Sequence, residues 1–501
     1  MSMPIFYSAL LLTGVNLLLR FVGTTFQVYI SASLGPAGVG LLQLVLSVGS
    51  LALVAGMAGI RTATMYVAAE EFGRRQRGNV AWILSGCFKY SIGFSVAVAT
   101  ALYGCAPLIA KYWIGDMRTI NALRLFAGFL PTTCLCGVMT GCFTAANRIG
   151  TLAAVEVAEQ ILSMAVTMLL LHFWAGADVE RACVSVIFGS CLGAVLTLVT
   201  LAALRMKETY GEKLPVGGRI CAAALPLAAA DLLKSGITTT EHLIVPKRLA
   251  LNIQVENPLA AFGILSGMVF PVLMFPACIL FGLAELLIPE LARCAAAESQ
   301  ERIRYLVKKS LKSSMIYGIA FGGLIYLLAE PLCFAIYHNG EAGRYLKLYS
   351  LMIPMLYCDA ITDAMTKGLG QQRVCVLYNI LTSAMDVCFL YVLLPVYGMA
   401  GYYASFLVTH LLNFLLSLRR LLKITGEQIP FYIPAFSVTA GVLGVWGASY
   451  IQYPLARGTA YVLLLMSLLY LLKVVGREDV DWIKRIVKKS KKGVDKEKAL
   501  W

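Results

Sequence analysis

Charged residues are scarce in this 501-residue chain. Aspartate, glutamate, lysine and arginine together make up only 14% of it, and there are just four histidines. A soluble domain carries charge on about a quarter of its residues. The sequence also has no phosphate-binding glycine loop, no paired metal-ligand motif and no grouping of a nucleophile with a base. These absences argue against an enzyme, and we expect no metal and no other cofactor.

Apolar residues are abundant instead. They form 59% of the chain, and the mean hydropathy is +0.77. A surface this apolar requires lipid as its solvent. The first apolar stretch has no small-residue cleavage pattern and contains Arg20, so it is expected to be a retained span and not a signal peptide. The composition therefore predicts an all-α integral membrane protein.

Hydropathy predicts about fourteen transmembrane helices. Each apolar stretch is long enough to cross roughly 30 Å of hydrocarbon at about 1.5 Å per residue. The predicted limits are 5–31, 37–68, 81–108, 120–145, 151–175, 180–204, 219–245, 259–289, 308–335, 344–368, 374–395, 398–421, 431–452 and 457–474.

The net charge of +15 could indicate a nucleic-acid partner. The basic residues, however, concentrate at alternate connections between spans, as the positive-inside rule expects. We therefore predict no nucleic-acid partner and place both termini in the cytoplasm. The connections that carry this bias contain Arg74, Arg75, Arg77, Lys207, Lys213, Arg293, Arg302, Arg304, Lys308, Lys309, Arg419, Arg420 and Lys423, while Lys111, Arg118, Lys247, Arg248 and Arg344 fall on the opposite side.

Fourteen cysteines could suggest disulfides or metal binding. Most of them, including Cys134, Cys136 and Cys142, lie inside apolar helical stretches. Cysteine behaves there as a small hydrophobic residue. His242 and His410 likewise stand singly in apolar surroundings, and we expect both to be buried and hydrogen-bonded.

A repeat divides the chain. Residues 123–131 and 346–354 agree in chemical type at most positions, and each segment ends in proline. Two copies of one bundle facing each other across a cleft are typical of secondary transporters. Because each copy has an even number of spans, the two copies are parallel. We predict six-helix bundles over 1–215 and 216–427, two additional helices over 428–475, and a basic cytoplasmic tail over 476–501.

Polar side chains follow one face of the first helix in each predicted bundle. Ionisable groups in the membrane are costly and normally face a cavity or a partner. The spacings of three and four residues indicate helical stripes that line a wet cleft. The stripes are Asn16, Arg20, Thr24 and Gln27 in span one, and Asp231, Lys234, Thr238 and Glu241 in span seven.

Cations in a cleft suit an anionic ligand, since arginine grips phosphate in a bidentate way and lysine acts as a point charge. Two alternatives remain for these residues: Arg20 could pair with Glu156 or Glu159, and Asp231 with Lys234 on its own helix. Arg61 could contact a lipid headgroup or simply reach the interface. The predicted substrate-binding residues are Arg20, Gln27, Arg61, Lys234 and Glu241.

A second polar face lies on span eleven, where Asn379, Thr382 and Asp386 share one side of the helix. Their oxygens suit a hard cation, and a buried carboxylate can instead carry a proton. With Asp231, these three residues form the predicted ion-coupling site, for either sodium or a proton.

These features together resemble the multidrug/oligosaccharidyl-lipid/polysaccharide exporter superfamily, in particular its polysaccharide-type flippases of the sporulation group. The resemblance covers about residues 5 to 425. It rests on the order and spacing of short motifs: Leu19-Arg20-Phe21-Val22-Gly23, Leu34-Gly35-Pro36-Ala37-Gly38-Val39-Gly40-Leu41, Gly59-Ile60-Arg61, Ala69-Glu70-Glu71, Glu159-Gln160 and Val245-Pro246-Lys247-Arg248-Leu249.

The resemblance implies a V-shaped, MATE-like pair of bundles with alternating access, in the bacterial cytoplasmic membrane. It implies a lipid-linked saccharide as cargo, membrane lipids as surroundings, and a cavity role for Arg20. Phe26 stands near the place of a further arginine in the lipid II flippases, which leaves the saccharide open. Asp386 and Thr382 are similar to the sodium site proposed for that branch. We expect a monomer.

The sequence thus predicts a flippase for a lipid-linked saccharide or peptidoglycan-type precursor, in envelope or spore cortex assembly. One alternative is a cation-coupled multidrug antiporter of the same superfamily, whose cleft would be dominated by carboxylates. The other is a membrane scaffold that transports nothing and needs no wet cleft.

Overall fold

The structure is a computed structural model that describes residues 5–73, 77–146, 148–176, 178–204, 217–427 and 432–476. All regular structure in these ranges is helical, and no strand occurs in them. The predicted all-α class is confirmed. The basic residues predicted at 74–75 and 205–213, and the tail from residue 477, lie outside the described residues.

Seventeen α-helices occur in the described ranges, joined by short π-helical and 3-10 turns. Their bounds are α1 Ile5–Met57, α2 Ile60–Gly73, α3 Arg77–Leu108, α4 Ile120–Ala145, α5 Ile149–Leu170, α6 Val179–Ala203, α7 Gly217–Leu249, α8 Pro258–Gly263, α9 Phe270–Met274, α10 Ala277–Ala296, α11 Gln300–Tyr337, α12 Gly340–Ser350, α13 Ile353–Gly368, α14 Gln372–Tyr397, α15 Met399–Thr425, α16 Tyr432–Ser449 and α17 Pro454–Leu471.

Proline and glycine explain two breaks. Gly35 in α1 has φ 68° and ψ 173°, a backbone conformation outside the helical region. Pro36 follows directly, and a residue before proline is disfavoured in the helical region while glycine tolerates positive φ. Residues 5–34 and 36–57 are therefore two helices that meet at a kink. Pro276 stands at the second break, where the segment Pro258–Met274 and α10 enclose a bend of 63°.

Among the described residues, eleven helices are long and apolar enough to cross a membrane, or twelve if the bent pair is one span. The multi-pass character is thus confirmed, whereas the count of fourteen is not. Two features of the structure make the number of spans smaller than the predicted fourteen. The first two predicted spans run together through the kink at Gly35, and the predicted span 344–368 is divided into α12 and α13, of 11 and 16 residues. A crossing needs about 20 residues.

The chain forms two compact units. Unit 1 comprises Met1–Leu286 and Gln372–Asn413, and unit 2 comprises Leu287–Gln371 and Phe414–Trp501. Unit 1 thus contains α1 to α9, the first half of α10, α14 and the first 15 residues of α15. The predicted bundle limits at 215, 427 and 475 stay predictions.

Unit 1 contains a close backbone crossing between α1 and α8. A β-carbon placed on Gly263 would lie 1.9 Å from the Pro36 carbonyl oxygen, and one on Gly40 would lie 2.3 Å from the carbonyl oxygen of Leu259. Both positions must therefore be glycine for the two helices to approach this closely. Such small-residue contacts drive helix association where lipid removes the hydrophobic driving force.

Gly263→Ala should therefore destabilise the protein, because the added methyl group meets backbone and not a flexible side chain. Overpacking of this kind costs about 1–3 kcal/mol. Thermal unfolding of the detergent-purified protein measures the effect. Gly93→Ala is the matched control, since nothing lies within 4 Å of a β-carbon at Gly93. Equal melting temperatures for the two variants would contradict the close crossing.

In unit 2, α16 and α17 pack on α11. The Tyr461 hydroxyl donates to the carbonyl oxygen of Ile319 at 2.8 Å, and its ring is fully buried. Leu465 and Leu469 lie in the same buried cluster. Because Gly323 has no side chain, the Tyr461 ring can lie directly against α11. The two additional helices are therefore part of the core of unit 2.

Candidate functional site

Helix α7 carries the polar stripe of the second predicted bundle. Asp231, Lys234 and Thr238 are exposed in the structure, and the Thr238 hydroxyl donates to the Lys234 carbonyl oxygen at 3.1 Å on its own helix. Glu241 is half-buried at the end of this stripe. The side chains of the stripe thus pass from open surroundings into the protein along one helix face.

A buried carboxylate site lies where α14 and α15 meet α7. Asp386 on α14 is 4% exposed. Its Oδ1 accepts hydrogen bonds from the Ser405 hydroxyl at 2.5 Å and the Thr409 hydroxyl at 3.1 Å, both on α15. The Glu241 carboxyl group lies within hydrogen-bonding range of the Asp386 carboxyl group. Two residues that are far apart in sequence thus form a carboxyl pair inside unit 1.

Aromatic and imidazole groups surround this carboxyl pair. Tyr402 is buried next to both Glu241 and Asp386. His410 lies within electrostatic range of Asp386, its Nδ1 is 3.0 Å from the Phe406 carbonyl oxygen, and its ring stacks on the Phe406 ring at 3.8 Å. The predicted hydrogen bond of this histidine is confirmed, and its side chain is half-buried.

His242 follows Glu241 on α7 and is held in the same way. Its Nδ1 lies 2.6 Å from the Ser47 hydroxyl on α1, and the neighbouring Thr239 hydroxyl donates to the Ser47 carbonyl oxygen at 3.1 Å. The predicted hydrogen bond is confirmed for this histidine too, and its side chain is likewise half-buried. These contacts attach α7 to α1 directly beside the carboxyl pair.

The other predicted ion-coupling residues make different contacts. Asn379 donates to the Cys375 carbonyl oxygen at 3.0 Å, and the Thr382 hydroxyl donates to the Tyr378 carbonyl oxygen at 2.9 Å, both within α14. Asp231 lies ten residues before Glu241, which is about 15 Å along α7. The structure therefore brings Asp386 together with Glu241, and not with Asp231.

A second charged cluster in unit 1 surrounds Arg61. This arginine is exposed near the start of α2 and interacts electrostatically with Glu156 on α5. One turn further, Glu159 accepts a hydrogen bond from the Thr197 hydroxyl at 2.6 Å. Glu156 and Glu159 were the possible partners of Arg20 in the sequence analysis. In the structure they interact with Arg61 and Thr197, respectively.

Arg20 and Gln27 lie on α1, and the Arg20 side chain is outside the described residues. Gly23, three residues after Arg20, lies against the Gln160 amide of α5. The Gln27 side-chain nitrogen Nε2 is buried and has no hydrogen-bond partner in the described part of the chain. A buried amide donor without a partner is costly and is a natural contact for a bound ligand.

Sequence reasoning missed Ser405, Thr409 and Tyr402. These residues follow one another at spacings of three and four on α15, which is the pattern that revealed the stripes on α1 and α7. The same test applied to this helix would have found them. The described residues contain no group of three or more His, Cys, Asp or Glu side chains that could hold a metal ion.

Comparison with known proteins gives the fold. No family model matches the sequence. The solved structure of the lipid II flippase MurJ, in an inward closed conformation, is similar with a TM-score of 0.70 at 12% identity, covering 92% of this chain and 98% of that one. An inward-facing multidrug resistance transporter of the MATE family and MOP superfamily has a TM-score of 0.66 at 14% identity, covering 83% and 100%. The chain therefore shares its fold with these two solved transporters.

Two curated proteins of Bacillus subtilis (strain 168) are related in sequence. Stage V sporulation protein B is 18% identical over 406 residues, which are 78% of each chain. Sporulation protein YkvU is 22% identical over 264 residues, which are 50% of this chain and 59% of that protein. The resemblance to the sporulation group of the superfamily, predicted from short motifs, is confirmed.

Proposed function

We propose that this protein is a flippase that moves a lipid-linked saccharide or peptidoglycan-type precursor across the cytoplasmic membrane by alternating access. The likeness to a lipid II flippase over 92% of the chain carries the proposal. The relationship to stage V sporulation protein B supports a role in envelope or spore cortex assembly. The likeness to the multidrug transporter extends over 83% of the chain, and a drug antiporter is therefore the less favoured alternative.

The proposed cargo site is the open side of α7 together with α1 and α2. Lys234 and Arg61 are exposed and cationic, and Arg20 lies on the neighbouring helix α1. The unpartnered Gln27 amide adds a neutral donor. A phosphate or pyrophosphate group would gain charge-assisted hydrogen bonds from the cations, while the amide suits a sugar hydroxyl.

We place ion coupling at the buried pair of Glu241 and Asp386. Ionised carboxylates only accept hydrogen bonds, so a hydrogen bond between these two neighbouring groups would require one of them to hold a proton. Without that proton, two negative charges would repel each other in surroundings of low dielectric constant. Occupancy of the pair therefore controls how strongly α7 is held against α14 and α15. Asn379 and Thr382 flank the pair on α14.

A sodium ion is the other occupant that this chemistry allows. Glu241, Asp386, Ser405 and Thr409 offer only oxygen atoms, which are the ligands of hard cations. Like a proton, a cation would offset the repulsion between the two carboxylates. The transported ion would then link the same three helices, with the hydroxyl groups of α15 fixing the position of Asp386.

The remaining parts of the proposal concern location and partners. The excess of basic residues at alternate connections supports cytoplasmic termini in a bacterial cytoplasmic membrane. Membrane lipids and the lipid-linked saccharide are the proposed partners, and the protein is proposed to act as a monomer without enzymatic activity or nucleic-acid binding.

A reconstituted translocation assay tests the function. Proteoliposomes loaded with a fluorescent lipid-linked saccharide should expose it to a membrane-impermeant quencher faster than protein-free vesicles do. The same preparation should not extrude ethidium from loaded vesicles under a sodium or proton gradient. Rapid dye efflux together with no lipid translocation would favour the antiporter instead.

Cysteine labelling separates a transporter from a scaffold. Gln27→Cys and Thr238→Cys should react with a charged, membrane-impermeant maleimide, because a transporter must admit water to its cleft. Leu233→Cys, which is exposed on another face of α7, is the matched control and should stay unreactive in lipid. The exposed Cys105 and Cys388 are first replaced by alanine. Unreactive cysteines at both cleft positions would favour the scaffold.

A further inference from the structure

An open, largely apolar groove runs along the second half of α7 in unit 1. Its volume is about 570 Å³. The floor is α7 itself, and the sides come from Leu51 of α1, Trp113 after α3, and Ala384 and Val387 of α14. Nearly all lining side chains are apolar, so the groove is suited to a hydrocarbon chain.

The groove lies on the side of α7 opposite the polar stripe. Gly236, Thr240, Leu243 and Lys247 line it and recur every three or four residues, whereas the stripe that ends at Glu241 follows another helical face. Because Gly236 has no side chain and Thr240 has a small one, there is space for the groove at these positions. The groove is therefore separate from the proposed cargo site and from the carboxyl pair.

The groove is long enough to hold an acyl chain across one leaflet of the membrane. Its lining on α7 extends from Leu232 to Lys247, which is about 22 Å of helix. Half of the hydrocarbon core measures about 15 Å. A groove that begins at the interface would therefore reach the midplane and extend a few ångströms past it. Trp113 and Tyr112, which are 49% and 62% exposed, mark the interface end, as aromatic residues do in membrane proteins.

The interface end of the groove carries cationic side chains, and contacts with neighbouring residues hold these side chains in place. The Lys247 ammonium group donates to the carbonyl oxygen of Tyr112, and Lys111 lies 5.3 Å from the centre of the Tyr112 ring. Arg248 lies 3.2 Å from the centre of the Tyr391 ring. An ammonium group has three donors, so Lys247 can hold this carbonyl and a phosphate together.

These contacts account for basic residues that the positive-inside rule does not explain. Lys111, Lys247 and Arg248 fall on the side that the rule assigns to the exterior, where basic residues are sparse. Arg118 on the same side is bound by Asp116, with 2.6 Å between Nη2 and Oδ2. Lys111 and Lys247, in contrast, have aromatic and backbone neighbours and are next to an apolar groove.

We propose that an anionic phospholipid binds here, with its phosphate at Lys247 and Lys111 and one acyl chain along the groove. The site goes beyond the proposed transport function, since it needs neither cargo nor coupling ion. The lipid would hold α7 from the side opposite Glu241. Because α7 carries one half of the carboxyl pair, the bound lipid would stabilise one position of the helix that moves during transport.

Tryptophan quenching tests this site in the full-length protein. A variant that keeps only Trp113 is reconstituted in vesicles that contain an equal fraction of brominated phosphatidylglycerol or brominated phosphatidylcholine. We expect phosphatidylglycerol to be preferred by more than about fivefold, since about fivefold is the value expected for each lysine at an anionic lipid and the site has two. The tryptophans replaced by phenylalanine are Trp82, Trp174, Trp446, Trp482 and Trp501.

Three matched proteins complete the test. Lys247→Gln should lower the preference about fivefold, since only Lys111 then remains, whereas Arg118→Gln, which removes one charge from the same end of the unit, should keep it. A protein that keeps only Trp174, which is 47% exposed, should show no preference. Equal quenching of Trp113 by both lipids, an unchanged preference in Lys247→Gln, or the same preference at Trp174 would each overturn the site. None of these results depends on whether the protein transports lipid.

Discussion

Replacing Asp386 by asparagine should abolish ion-coupled transport while the protein still folds. Asparagine has the same shape, and its amide oxygen can still accept from the Ser405 and Thr409 hydroxyls. It cannot take up or release a proton, and it removes one of the two negative charges that would hold a cation. Coupling between binding sites is typically worth 5- to 150-fold, so we expect a loss of about that size in gradient-driven transport.

The measurement is the rate of lipid translocation with and without a sodium or pH gradient. Wild-type protein should respond to one gradient, and Asp386→Asn to neither. Ser405→Ala should give a partial loss, because Asp386 keeps the Thr409 hydroxyl. Asp363→Asn is the control: this carboxylate on α13 pairs with Lys367 one turn away at 2.5 Å, outside the proposed site. A full gradient response in Asp386→Asn would remove the carboxyl pair from the mechanism.

Replacing Arg20 by alanine should abolish translocation and leave expression intact. Truncating one partner of a desolvated, hydrogen-bonded charge pair costs about 2–5 kcal/mol. If Arg20 binds the phosphate of the cargo, that loss falls on cargo binding in the cleft. Arg20→Lys should keep part of the activity, since lysine retains the charge but not the bidentate geometry.

Arg181→Ala is the control for this second prediction. Arg181 lies at the beginning of α6 and pairs with Asp178 at 3.3 Å, and such exposed pairs contribute little. Both variants are compared in the fluorescent lipid assay at equal protein content, with thermal stability measured in parallel. Unchanged translocation in Arg20→Ala would exclude this residue from cargo binding.

Several site features could be predicted from sequence. The stripe on α7 and the buried position of Asp386 are readable because a membrane helix carries polar residues only where they have a partner or water. Histidines 242 and 410 were expected to be hydrogen-bonded for the same reason. Each of these inferences concerns one helix and its periodicity, which needs no knowledge of its neighbours.

Which side chains of different helices contact each other was harder to predict from the sequence. Sequence reasoning joined Asp386 to Asp231, but its carboxyl partner is Glu241, about 15 Å away from Asp231 along α7. It also gave Glu156 or Glu159 as a possible ion-pair partner of Arg20. In the structure Glu156 lies near Arg61, and Glu159 accepts a hydrogen bond from Thr197. Periodicity gives the face of each helix but not its height relative to a neighbour, so several partners on the same face looked equivalent.

Composition and periodicity were sufficient for the membrane class, the helical content and the polar faces, because the cost of exposing polar backbone and charge to lipid acts on every segment separately. The meeting of Glu241, Asp386, Ser405 and Thr409 depends on how α7, α14 and α15 are rotated and shifted against one another. Those positions result from contacts between helices, such as the one between His242 of α7 and Ser47 of α1, which join residues nearly two hundred positions apart and leave no periodic signal in the chain.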